Sequence, residues 1–495
     1  MHTSVEELDM QAKEILAKFS DNNISIKERR TIPLQEMPTQ DPSVRVNNME
    51  EVALGYTENQ VRVEAMRCLQ CKNKPCVQGC PVGIDIPAFI AKAAEGDFVG
   101  ANSKIKESSL LPSICGRVCP QENQCQKYCT VGKMNKDIDK SVAIGRIERF
   151  VADYTREHDK DVVPDVKPAT NKKVAIVGSG PASIAAAADV RREGHTVVMF
   201  EALHKAGGVL VYGIPEFRLP KKLVEREFDG LAKMGIEINK NFLVGKTRTL
   251  KDLREKDGFD AIFIGAGAGL PKFMNIPGEN LIGVFSANEY LTRSNLMKAY
   301  DQRHSLTPLF NSEKVAIFGG GNVAMDAART AKRLGAKEVT IIYRRSEAEL
   351  PARKEEVHHA KEEGINFLLL HQPHEIVGDE HGFVTGVKVV TCELGEPDAS
   401  GRRRPVEIEG TEQVLDFDTV VVAIGNASNP LLKQTTKGLE VNKRGNIIVN
   451  EDTCETSIEG VFAGGDIVLG AATVILAMGQ GRKGAKAINK YLENK

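Results

Sequence analysis

A surplus of charge of either sign is what this sequence most clearly lacks: 66 Lys and Arg face 67 Asp and Glu, a formal net charge of −1. No broad electrostatic field therefore favours nucleic acid or an anionic membrane as a partner. A long apolar run is also missing. Nothing approaches the roughly 18 residues that a membrane-spanning helix needs. The N-terminus has no apolar h-region and carries Glu6, Glu7 and Asp9 early, so it does not read as a secretory signal, and a cytoplasmic protein is expected. It reads instead as an amphipathic helix with Val5, Leu8, Ala12, Ile15, Leu16 and Phe19 on one face, packing on its own chain or on a partner subunit. What is present fits a globular protein, 41% hydrophobic and 27% charged. At 495 residues the chain is too long for one ordinary core, and roughly three domains are expected.

Ten cysteines are unevenly spread: eight lie between Cys68 and Cys129, and only Cys392 and Cys454 lie outside. A disulfide framework belongs to small secreted domains, not to one segment of a large chain. Clustered thiols point to metal, and Cys392 and Cys454 read as inert. The first group is Cys68-x2-Cys71-x4-Cys76-x3-Cys80 followed by Pro81; the second is Cys115-x3-Cys119-x5-Cys125-x3-Cys129, with Pro120 after Cys119. Two four-cysteine zinc sites would use all eight. The x4 and x3 spacings and the Cys-Pro steps fit iron–sulfur clusters better, where close spacing wraps one loop around a cubane and a distant ligand closes the cage.

After a charged, proline-containing linker, DKDVVPDVKPATNKK, a strand leads through glycines into an alanine-rich helix. In VAIVGSGPASIAAAADVRREGHTVVMFE, Gly178 permits the tight turn and Gly180 lets backbone approach a pyrophosphate at the helix N-terminus. Ser183 stands at the third glycine position, small enough to preserve helix–strand packing. Glu201, at the end of the next strand, is placed to accept from ribose hydroxyls. Further glycine turns follow at Ala206-Gly207-Gly208 and at Gly464-Gly465-Asp466. A second unit, VAIFGGGNVAMDAARTAKRLGAKEVTIIYRRSE, has Gly319, Gly321 and Ala324 at the G-x-G-x-x-A positions. Its next strand ends in Arg344-Arg345, not a carboxylate, which favours the 2′-phosphate of NADP(H) over NAD(H). The second unit reads as inserted into the first, with a return after about residue 415 through DTVVVAIG and GVFAGGDI. The run Arg402-Arg403-Arg404 reads as a solvated hairpin or loop.

Together EAMRCLQCKNKPCVQGCPVGIDIPAFI, ICGRVCPQENQCQKYC, GSGPAS, YGIPEFRLPK, FGGGNVAMDAAR and GVFAGGDIVLGAATVILAMGQGRKGA resemble the small (beta) subunit family of NADPH-dependent glutamate synthase. The large subunit of NADH–ferredoxin:NADP transhydrogenase and the N-terminal half of dihydropyrimidine dehydrogenase look similar, and the likeness runs from about Asp41 onward. It implies an α/β fold: an N-terminal helical iron–sulfur domain over residues 1–165, then two nested Rossmann-like domains, an FAD domain over 166–305 plus 415–495 and an NADPH domain over 306–414. It implies two [4Fe–4S] clusters with interleaved ligands, one on Cys68, Cys71, Cys76 and Cys129, the other on Cys80, Cys119, Cys125 and Glu148, which leaves Cys115 spare. FAD would lie among Gly178, Gly180, Pro181, Ala182, Ser183, Glu201, Gly208, Arg218, Gly465, Asp466 and Thr473. NADPH would lie among Gly319, Gly321, Asn322, Ala324, Arg344, Arg345, Ala423 and Gly425.

The resemblance further implies hydride transfer from NADPH to FAD and electron transfer onward for reductive glutamate synthesis, with no catalytic side chain needed. The family's glutaminase domain, with its N-terminal cysteine, and its FMN barrel have no counterpart in the sequence, so the chain is expected to be the electron-input half. Its expected partner is a glutamate synthase large chain. The alternatives are a small flavoprotein or ferredoxin in a transhydrogenase, a homo-oligomer acting alone on sulfide or polysulfide, and, remotely, a zinc-bearing interaction protein.

Overall fold

Runs of valine, isoleucine and phenylalanine after residue 172 form two five-stranded parallel sheets. Their inner strands are buried on both faces, which is why they read as nearly continuous apolar segments rather than alternating ones. The structure, a computed structural model, describes residues 3–19, 24–160, 163–301, 303–305, 307–309, 311–399 and 401–495. The first sheet is ordered Val461–Ala463, Ala261–Ile264, Lys173–Val177, Thr196–Phe200, Glu237–Asn239. The second is ordered Val284–Ser286, Thr419–Val422, Lys314–Phe318, Glu338–Tyr343, Asn366–Leu369. Each sheet therefore has the strand that leads into its glycine turn in the centre, Lys173–Val177 between Ala261–Ile264 and Thr196–Phe200 in the first, and Lys314–Phe318 between Thr419–Val422 and Glu338–Tyr343 in the second.

The nested arrangement is as expected, but the boundaries differ from those drawn on the sequence. Val284–Ser286 was expected in the first unit, and so was the strand in DTVVVAIG. Both pair in the second sheet: Val420 lies opposite Val284 on one side and Ala316 on the other. A buried parallel strand carries no mark of which sheet it joins; only the crossover geometry decides, and that is not local in sequence. A further antiparallel layer, with strands His371–Gly378, Val384–Pro397, Arg403–Glu407 and Gln413–Asp416, packs Ile376, Val384, Val387 and Val389 against Phe318, Ile342 and Val420 of the second sheet.

Helix Pro181–Arg192 follows the first strand, with proline at its start where the missing N–H costs nothing. The last helix, Val474–Glu493, lies against it so closely that a Cβ on Gly481 would collide with the Ala182 carbonyl.

The cysteine block is helical. Helices Glu58–Met66, Ile86–Glu95, Phe98–Lys106 and Ile144–Glu157 enclose Val61, Phe89, Ile90, Ile105, Ile147 and Val151. The N-terminal helix, Val5–Lys18, buries Leu8 and Ala12 and joins Val63 and Met66 in a small core, so its apolar face is satisfied within the chain. Between the block and the first sheet the linker has no helix or strand among its described residues, yet Val163 and Val166 rest on the first core. No helix among the described residues is long and apolar enough to cross a membrane.

Candidate functional site

The first glycine turn is built by close approach. Gly178 has φ +96°, and a Cβ there would sit 2.5 Å from the Gly265 carbonyl oxygen, so glycine is required on both counts. Gly180 faces open space, with nothing within 4 Å of a Cβ position; that is the cradle a pyrophosphate would fill at the start of helix Pro181–Arg192. Ser183 is buried and its Oγ donates to the Gly265 carbonyl at 3.3 Å, so a serine fits where glycine is usual because a glycine opposes it. Glu201, buried, accepts from Leu203 N–H at 2.8 Å and from the Ser179 hydroxyl. The Ser179 Oγ in turn accepts from Gly207 N–H at 2.9 Å. Sequence reasoning missed Ser179, which locks the first glycine turn to Ala206-Gly207-Gly208. Gly208, at φ +54°, stacks on Gly180.

Asp466 and Thr473 bracket the N-terminus of the last helix. Burial pushes the Asp466 carboxyl up to about 6, and it accepts from Ala472 N–H at 3.2 Å. Gly465 has φ +81°. Thr473 caps helix Val474–Glu493 by accepting from Leu476 N–H at 3.4 Å. Arg218 is placed differently from the glycine turns: its guanidinium is buried at the seam with the second unit, 2.7 Å from Asp326 and 3.1 Å from Glu356. Burial opposes that charge, and the two carboxylates restore it.

The second turn repeats the first. Gly319 has φ +131° and a Cβ on it would strike the Ala423 carbonyl. Gly321 faces space bounded only by Pro351, 4.0 Å from a Cβ position. Asn322 opens the helix Asn322–Arg333, Ala324 is fully buried, and Gly425, at φ +103°, has nothing within 4 Å of a Cβ position. Arg344 and Arg345 are not equivalent. Arg344 is exposed. Arg345 is buried, 2.8 Å from Asp398, and its Nε donates to the Arg403 carbonyl at 2.7 Å. The arginine run is thus drawn in: Arg403 pairs with Glu349 at 2.7 Å, folding the hairpin onto the loop that carries Arg344.

The cysteines fall into two groups. Cys68, Cys71, Cys76 and Cys129 are near enough to act electrostatically on one another's thiols. Burial pushes Cys68 up to about 11 and Cys76 up to about 12. Cys80, Cys119 and Cys125 line one small cavity with Glu148, Cys115 and Ile475. Burial alone pushes the Glu148 carboxyl up to about 8, and its Oε1 has no hydrogen-bond partner. An orphaned buried oxygen facing three thiols suits a metal ligand, because a Lewis acid would ionise and satisfy all four. Cys115 Sγ donates to Met478 Sδ at 3.7 Å. No group of three His, Cys, Asp or Glu among the described residues gathers as single-ion ligands would, whereas ligands of a cubane stand around a larger inorganic core. Cys392 and Cys454 are buried and remote in sequence from both groups.

The second cysteine group touches the first dinucleotide unit. Gln124 Nε2 donates to Thr473 Oγ1 at 3.2 Å, and a Cβ on Gly479 would lie 3.0 Å from the Pro81 carbonyl oxygen. Gln124 carries no sequence signal beyond its position one residue before Cys125.

Comparison with known proteins agrees with this layout. Residues 45–160 match the family described as dihydropyrimidine dehydrogenase domain II, 4Fe-4S cluster. Residues 172–481 match the pyridine nucleotide-disulphide oxidoreductase family. The NADPH glutamate synthase small chain of Escherichia coli (strain K12) is 36% identical over 470 residues, 93% of this chain and 98% of that one. The NADP(+)-dependent formate dehydrogenase subunit beta of Moorella thermoacetica is 40% identical over 441 residues, 84% of this chain and 60% of the relative. Among solved structures, Mycobacterium tuberculosis FprA in complex with NADPH aligns with a TM-score of 0.56 at 21% identity, over 66% of this chain and 85% of that one, which establishes the shared fold.

Proposed function

Because this chain belongs to the glutamate synthase small-chain family, we propose that it is the electron-input chain of an NADPH-dependent flavin and iron–sulfur oxidoreductase that serves a partner subunit. When bound, the flavin supplies hydride acceptance and one-electron release, and the clusters supply one-electron carriage. The chain itself supplies binding, orientation and potential. Gly178, Gly180, Pro181, Ala182, Ser183, Gly208, Gly465, Asp466 and Thr473 would hold FAD, with Glu201 toward the ribose. Gly319, Gly321, Asn322, Ala324, Ala423 and Gly425 would hold NADPH, with Arg344 at the 2′-phosphate. Cys68, Cys71, Cys76 and Cys129 would hold one cluster, and Cys80, Cys119, Cys125 and Glu148 the other.

The observation that carries this reading is the contact between the second cysteine group and the helix Val474–Glu493, through Gln124–Thr473, Ile475 in the shared cavity and Gly479 on Pro81. This contact supports the reading because, with FAD beside Thr473 and a cluster on Cys80, Cys119 and Cys125, one helix would join the two cofactors. The test is anaerobic purification with metal and flavin analysis, NADPH titration, and then addition of glutamine and 2-oxoglutarate with and without a large chain. About eight irons, one FAD, flavin bleaching by NADPH, and glutamate only with the partner are expected. Zinc without flavin would overturn the reading. The 40% identity to a formate dehydrogenase subunit favours a second reading, a different redox partner; in that case the co-purifying chain is not an amidotransferase and no glutamate forms.

A further inference from the structure

The segment Leu350–Arg353 lies on the second glycine turn. Ala352 N–H donates to the Gly320 carbonyl at 3.2 Å. Arg353 N–H donates to Asn322 Oδ1 at 2.9 Å, and Pro351 bounds the open space at Gly321. The Arg353 side chain, 9% exposed, runs the other way, into the cysteine block. Its Nη2 donates to Gln121 Oε1 at 3.1 Å and its Nη1 to the Arg117 carbonyl at 3.2 Å. Glu122 lies 3.4 Å from Nε and Glu355 3.1 Å from Nη2. Of these partners, Gln121 and Glu122 belong to the single turn Gln121–Asn123 between Cys119 and Cys125, and Arg117 to the helix Pro112–Val118 just before it. Gln121 also reaches back to the Cys115 carbonyl at 3.4 Å.

One residue is thus fixed by its backbone to the dinucleotide turn and by its guanidinium fork to the cysteine loop. Resting on the reading that Cys80, Cys119, Cys125 and Glu148 hold a cluster, we propose that Arg353 is a positioning residue that raises the reduction potential of that cluster and couples it to dinucleotide binding at Gly319–Asn322. A cation beside a cluster favours the reduced state, which carries one more negative charge. Without this cation Glu122, 3.4 Å from its Nε, would face the loop uncompensated. A phosphate in the glycine turn would accept from N–H groups of the same turn whose Gly320 carbonyl and Asn322 Oδ1 hold Ala352 and Arg353, so occupancy would shift the fork against Gln121 and Glu122. Linkage makes the coupling reciprocal: if NADP+ alters the potential, reduction alters NADP+ affinity by the same factor.

The test uses the full chain with its cofactors, purified anaerobically, in redox titrations followed by electron paramagnetic resonance, with and without NADP+. Wild type is expected to show two cluster signals, one of which shifts its midpoint with NADP+. Arg353→Met is expected to lower that midpoint, leave the other unchanged and abolish the NADP+ response. Arg353→Lys, which keeps the charge but not the fork, is expected to hold the midpoint near wild type and lose the response; it keeps the proposal testable if the Met variant folds poorly. Two signals with the same midpoints in wild type and Arg353→Met would overturn the proposal alone. Fewer than two signals in wild type would overturn the ligand assignment and the proposal with it.

Discussion

Cys115 and Cys119 stand one helical turn apart, and in the proposed ligand set that turn separates a spare thiol from a ligand. Cys115 is inside helix Pro112–Val118, fully buried, with Met478 sulfur beside it. Cys119 is the residue at which the helix ends, in an extended conformation, where the chain opens toward Gln121–Asn123. Simple counting would give each of two clusters four cysteines; in the ligand set proposed above, Glu148, whose Oε1 has no hydrogen-bond partner, is the eighth ligand instead. Cys115→Ser is therefore expected to retain the full iron complement, whereas Cys119→Ser loses about four irons per chain. Iron analysis and the visible spectrum of the two variants check this, and equal loss would restore Cys115 as a ligand.

At the scale of elements, the two sheets place their glycine turns alike, but the walls around them differ. Hairpin Val384–Pro397 to Arg403–Glu407 delivers Asp398 onto Arg345, leaving Arg344 as the exposed member of the pair. Arg344→Glu is expected to raise the KM for NADPH about tenfold or more, from the loss of a charge-assisted contact worth about 1.5–3 kcal/mol, with NADH use unchanged. Arg345→Ala frees the hairpin and is expected to weaken NADPH use less. Steady-state kinetics with both nucleotides separate the two, and equal effects would mean that Arg345 leaves Asp398 when the nucleotide binds. The asymmetry was hidden in the sequence. Strand, glycine turn and helix are local patterns, so both units were legible, as was the change from Glu201 to Arg344-Arg345 at the strand ends. The pairing of Arg345 with Asp398 joins positions 53 apart, and the sheet to which Thr419–Val422 belongs depends on a crossover. No window of sequence holds either. The cysteines were legible because their spacing is itself local; Gln124, Arg353 and Ser179 were not, because their roles depend on what lies opposite.

At the scale of the whole molecule, three blocks meet at a buried junction of charge. Arg45, from the cysteine-bearing block, is fully buried and lies 2.8 Å from both Glu362 and Glu363 of the second unit. Glu363 also meets Arg329 at 2.8 Å and Arg333 at 2.7 Å. Phe217 of the first unit lies beneath both of those guanidiniums, with centroid distances of 4.8 Å and 4.0 Å. Three blocks therefore meet around one carboxylate that balances three cations. Removing Arg45 as Arg45→Met leaves Glu363 two partners and is expected to cost about 1–3 kcal/mol. Glu363→Gln leaves Arg333 without a carboxylate, and Arg45 and Arg329 with only Glu362 and Glu356, and is expected to cost more, about 3–5 kcal/mol. Burial opposes the charge on Glu363, but the arginines outweigh it and hold its carboxyl well below the ordinary 4.5. A carboxylate depressed in this way contributes fully above its unfolded-state value and loses that contribution as pH falls toward the folded one. The gap in thermal midpoint between wild type and Glu363→Gln should then stay constant from pH 7 down to about 4.5 and narrow below it. Since a chain of several units need not unfold in one step, the midpoint to follow is that of the transition in which the cysteine block separates, read by loss of cluster absorbance. A gap that already closes between pH 7 and 5 would mean that Glu363 is not ionised in the folded junction, and that the three blocks are joined by packing on Phe217 instead.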